Sequence, residues 1–117
     1  MYKLPKDFSG PFSINQTVEV LSFAQYHFDV SFSNSAWMHV ESGYSLYSAG
    51  ELVEEASEFP LKSTCVVQLL GERVVDVYVE NETNMALVFS DRVLLIKGDL
   101  ENYEAYRISD GKHEVLV

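Results

Sequence analysis

The chain has 117 residues, of which 47% are hydrophobic, and a formal net charge of −10. That length is one domain able to bury roughly two thirds of its unfolded surface, and the composition is that of a folded chain rather than a disordered one. An acidic field repels nucleic acid and anionic membranes, and Cys65 alone supports neither an internal disulfide nor a cysteine-rich metal cluster.

Residues 1–16 read as an entry segment, in which Gly10-Pro11 forbids a continuous helix between Phe8 and Phe12. The charged start, Met1 to Asp7, has no apolar core behind it, so no signal peptide is expected. The longest apolar runs, such as Val93 to Ile96, are too short to cross a bilayer, and the expectation is a cytoplasmic protein.

From Thr17 the pattern is that of strands. Val18, Val20 and Ser22 share one face, and Phe28, Val30 and Phe32 alternate with Asp29 and Ser31. Ser33-Asn34-Ser35 is a turn, because Asn bonds its own main chain. Ala36, Met38 and Val40 then oppose Trp37, His39 and Glu41, and Tyr44 to Tyr47 makes a short fourth strand.

Glu51, Glu54, Glu55 and Glu58 stand at the spacing of one helical face, where like charges repel. With Pro60 behind them, Glu51 to Pro60 reads as an exposed turn or loop. A helix is expected over Leu61 to Leu70, capped by Ser63 or Thr64 and ended by Gly71, against the poor helix propensity of Thr64, Val66 and Val67.

Beyond it, Val75, Val77 and Val79 share one face, as do Met85, Leu87 and Phe89. Val93 to Lys97 reads as a central strand covered on both faces. Tyr103 to Ile108 and His113 to Val117 are joined through Asp110-Gly111, a strong hairpin signal. Val75 to Asp99 lies on Val18 to Ser42 without a gap, with Phe89-Ser90-Asp91 on Phe32-Ser33-Asn34. The expected architecture is a single α+β domain, 1–117, that is mainly β. Two related antiparallel meanders of three to four strands, 17–48 and 74–108, carry one short helix at about 62–70.

Catalytic signals are absent. His27, His39 and His113 have no metal-ligand spacing, no Gly-x-Ser-x-Gly elbow or glycine-rich phosphate loop exists, and Cys65 belongs to an apolar face. Neither metal, cofactor nor enzymatic activity is expected. Tyr44 and Tyr47 recur as Tyr103 and Tyr106, with the register slipped across the turn. Tyrosine suits a core edge or a contact surface. Grouped near Trp37 and His39, these rings are the candidate binding residues.

Two stretches, Leu69 to Val74 and Met85 to Tyr106, with Phe89-Ser90-Asp91 and Tyr103-Glu104-Ala105-Tyr106, resemble a family of small bacterial domains of unknown function. The resemblance covers residues 17–108, although Arg92 replaces the usual turn glycine and Tyr106 stands in place of Trp. It implies a fold type and a bacterial setting, and no site.

Two functions fit. One is a non-enzymatic protein-binding domain, immunity-like, that meets a basic partner by charge-steered contact, with pairing through an exposed edge strand as a route to a homodimer. The alternative is a small-molecule pocket between the two halves, lined by Trp37, His39, Tyr44 and Tyr103.

Overall fold

The computed structural model describes residues 14–57, 63–80, 83–98, 106–109 and 114–116. Its strands are β1 (Val18–Phe23), β2 (Phe28–Phe32), β3 (Trp37–Val40), β4 (Tyr44–Ser48), β5 (Glu51–Ala56), β6 (Asp76–Glu80), β7 (Asn84–Val88), β8 (Arg92–Ile96), β9 (Tyr106–Ser109) and β10 (Glu114–Leu116). They form two five-stranded antiparallel sheets, in the orders β1-β2-β3-β9-β10 and β5-β4-β8-β7-β6. The protein is mainly β.

Chain direction explains the orders. The meander β1-β2-β3 is followed by the hairpin β4-β5, which crosses to the second sheet and pairs against β8. The meander β6-β7-β8 is followed by β9-β10, which crosses to the first sheet and pairs against β3. The sheets are also tied where the chain enters them. Gly71 donates to the Val18 carbonyl at 2.8 Å, Val18 to Glu72 at 2.9 Å, Val74 to Gln16 at 2.9 Å and Asn15 to Val74 at 2.7 Å, around a Thr17–Arg73 bridge.

Alternation sets which rows face inward, because successive strand side chains point to opposite faces. Phe28, Val30, Phe32, Met38, Val40 and Ile108 come from the first sheet, and Tyr44, Leu46, Met85, Leu87, Leu94 and Ile96 from the second. They form one shared core. Within it Phe28 meets Tyr44 edge-on, with ring centroids 5.5 Å apart. Such a pair contributes about 0.5–1.5 kcal/mol beyond the area it buries.

Turn chemistry is local. Asn34 Oδ1 accepts from the Ala36 amide at 3.0 Å, which closes the β2–β3 turn, and Ser35 takes φ 72°. Ala49 and Gly50 have φ of 52° and 81° between the paired Ser48 and Glu51, the twist that a two-residue hairpin requires.

Several expectations are corrected. The helix over 62–70 is a five-residue 3₁₀ turn, Cys65–Leu69. Thr64 caps it by accepting from Val66, and Val66 and Leu69 are buried. The β-branched Val66 and Val67 disfavour a longer α-helix. Glu51 to Ala56 is the edge strand β5 and not a loop. Glu54 and Glu55 point to opposite faces of the strand instead of stacking on one helix face, and Glu58 lies outside the described residues. In β1 the register shifts between Val18 and Val20, so Val18 is buried, Val20 is half exposed and Leu21 packs against the core. Val75 is likewise exposed and precedes β6. The strand β8 is central, between β4 and β7, but Val93 and Leu95 on its outer face are only half-buried. The expected final hairpin is present as β9–β10, and its Asp110-Gly111 turn lies outside the described residues.

Candidate functional site

Three polar or aromatic groupings stand out. The first is a groove of about 250 Å³ on the outer face of the second sheet, lined by Tyr47, Gly50, Tyr78, Glu80, Asp91, Val93 and Leu95. Strand register builds it. Tyr47 pairs with Val93, Tyr78 with Ala86, and Ala86 with Leu95. Ala86 stands between Tyr78 and Leu95 in this register and is itself fully buried. Glu80 pairs with Asn84 at one end, and Asp91 lies in the turn before β8 at the other. Aromatic walls, an aliphatic floor and terminal carboxylates are the surroundings that suit a cation with an apolar stem.

The second grouping ties the 3₁₀ turn to the sheet. Glu54 Oε2 accepts from the Tyr44 hydroxyl at 2.6 Å and from the Thr64 hydroxyl at 2.6 Å, while its Oε1 accepts from the Cys65 amide at 2.9 Å. Burial pushes the Glu54 carboxyl up, but the hydroxyls of Thr64 and Tyr44 and the Cys65 amide more than offset it, so the net shift is downward. The Tyr44 phenol is held well above its ordinary range, by burial first and by its bond to Glu54 second. Every member is occupied by another member, and the arrangement is structural.

The third lies on the outer face of the first sheet. Asp29 on β2 pairs directly with His39 on β3, and His27 immediately precedes β2. Asp29 Oδ1 meets His39 Nδ1 at 2.6 Å, and Asp29 Oδ2 meets His27 Nε2 at 3.3 Å. The two imidazoles lie with centroids 4.3 Å apart and planes tilted by 38°, and His39 Nε2 meets Glu41 Oε1 at 3.1 Å.

The expected binding residues are therefore dispersed. Trp37 and His39 are half-buried on the outer face of the first sheet, whereas Tyr44 is fully buried in the core and Tyr47 lines the groove of the second sheet. Tyr106 begins β9 opposite Val40, its side chain is not among those described, and Tyr103 lies outside the described residues. Trp37 and His39 share the outer face of the first sheet while Tyr44 points into the core, so the three do not come together. Tyr78 and Glu80 lie on the strand face that local patterning assigns to solvent, and Asp91 lies in a turn, so no local signal joins the three. His27 stands just ahead of β2, twelve residues from His39, a spacing that by itself signals no shared site.

The fold and these groupings define a two-sheet antiparallel β domain with one acid-ended aromatic groove among the described residues. Comparison with protein-family models, with curated proteins and with solved structures finds no match. Among the described residues no helix is long and apolar enough to cross a membrane.

Proposed function

We propose that this chain is a non-enzymatic binding domain whose occupant is a basic segment of a partner protein, seated in the groove between Tyr47 and Tyr78. The observation that carries this reading is the pairing of an aromatic and aliphatic trough with Glu80 and Asp91 at its ends. The net charge of −10 steers a basic partner toward it. A lysine or arginine side chain would lay its stem on the rings and bring its head to a carboxylate.

The doubled-unit reading belongs to the same proposal. It is supported by the two strand orders, in which each three-strand meander is completed by the hairpin that follows the other. Self-association through β5 is the second reading. It rests on Leu52 and Val53, which are exposed at a sheet edge. Glu51 and Glu55 on the same strand oppose it, since like charges would face each other across the pairing.

The test is calorimetric titration with a peptide of alternating lysine and leucine, against a peptide in which glutamate replaces lysine. Binding of the first alone is expected, weakening from 50 to 300 mM salt and reduced at least fivefold by Tyr78→Ala or Asp91→Asn. Equal binding of both peptides, or none, refutes the reading. Sedimentation of the free protein as a dimer that Leu52→Lys dissociates would favour the second.

A further inference from the structure

The histidine–aspartate grouping on the first sheet gathers three side chains of metal-ligating type. His27, Asp29 and His39 each offer a ligand atom, and these atoms lie within 4.8 Å of one another. Ligands around a tetrahedral zinc, at 2.0–2.1 Å from the ion, lie roughly 3.3 Å apart, so modest side-chain rotation closes the gap. The atoms converge already: His27 Nε2 and His39 Nδ1 face the two oxygens of one carboxylate. A ligating histidine almost always gives its other ring nitrogen to a carboxylate, which fixes the ring. Here His39 Nε2 does so to Glu41 Oε1, an arrangement that a surface histidine pairing with one acid would not require.

We propose that His27, His39 and Asp29 form a site for a divalent ion of the zinc class, with Glu41 as the residue that positions His39. Two imidazoles and one carboxylate select zinc, cobalt, nickel or copper over calcium and magnesium, which prefer oxygen donors. Three protein ligands leave a coordination position open. The side chains of His27, His39 and Asp29 are 31%, 16% and 36% exposed, so an ion has a path in and a ligand from solvent or a partner can complete it. This site is independent of the basic-segment groove, which lies on the other sheet.

The experiment is titration of the full chain with zinc, followed by competition with a chromophoric chelator, and with cobalt, followed by its visible absorption. One ion per chain is expected, together with cobalt absorption of imidazole-bound character. His27→Gln, His39→Gln and Asp29→Asn should each weaken binding at least as much as the roughly 10–100-fold that follows loss of an outer-shell partner. Glu41→Gln should weaken it within that range while leaving the cobalt spectrum of the loaded protein in place. Far-UV circular dichroism checks that each variant is folded. Arg107 on β9 pairs opposite His39, so Arg107→Gln should bind zinc at least as tightly as the parent. Failure of both the parent and Arg107→Gln to bind, or affinity unchanged by the histidine substitutions, overturns the proposal.

Discussion

Glu54→Gln is the most informative single substitution for the scaffold. The carboxylate takes three hydrogen bonds, from Tyr44, Thr64 and the Cys65 amide. Tyr44 is fully buried, so its hydroxyl cannot turn to water if the acceptor is lost. Hydrogen bonds to a charged acceptor contribute about 1.5–3 kcal/mol each in favourable cases. Glu54 itself is only half-buried, which lowers that figure, and glutamine keeps one acceptor oxygen. A loss of about 1–2 kcal/mol is expected for Glu54→Gln, and about 2–4 kcal/mol for Glu54→Ala, which leaves the Cys65 amide unpaired as well. For a domain of this size, 1 kcal/mol corresponds to a Tm change of roughly 4 °C. Urea unfolding followed by the fluorescence of Trp37 measures both. The pH dependence is a second check. The folded pKa of Glu54 lies below its ordinary 4.5, so the stability it contributes is fully present above that pH and is lost as pH falls through the folded value. The gap between parent and Glu54→Gln should therefore be constant near neutrality and shrink in acid. A Glu54→Gln protein as stable as the parent at pH 7, or a gap that persists unchanged to pH 3, would refute the reasoning.

Two further substitutions test the local backbone. Ala49 sits at φ 52° ahead of Gly50, a conformation that costs an L-residue about 1–2 kcal/mol and that Asn adopts more readily; Ala49→Asn should raise stability by roughly 0.5–1 kcal/mol, read as a higher Tm in a thermal melt. The shifted register of β1 leaves Val20 out and sets Leu21 against the core, so Val20→Lys should leave the urea midpoint nearly unchanged, while Leu21→Lys lowers it by the equivalent of about 1–3 kcal/mol. The opposite order would mean that the original alternation of Val18, Val20 and Ser22 holds.

Local pattern carried much of the architecture. Phe28, Val30 and Phe32, and then Met85, Leu87 and Phe89, face inward as period-two alternation requires. The Ser33–Ser35 turn and the final hairpin were legible because turn chemistry acts over a few residues. What failed was local evidence with two meanings. The acids of β5 fit a helical face as well as a strand, and the apolar spacing of 61–70 fits a helix that its β-branched residues then shorten to one 3₁₀ turn.

From the amino-acid order alone came the strand-rich character, the inward rows of β2, β3 and β7, and the negative field, since each depends on side-chain type and neighbours a few places away. Only the tertiary structure decided that β4 and β9 exchange sheets, that Tyr47 and Tyr78 flank one groove, and that His27 and His39 meet over Asp29. Those juxtapositions depend on strand register and on sheet order. Both are set by how distant segments bury their apolar faces together, and no window of sequence contains that information.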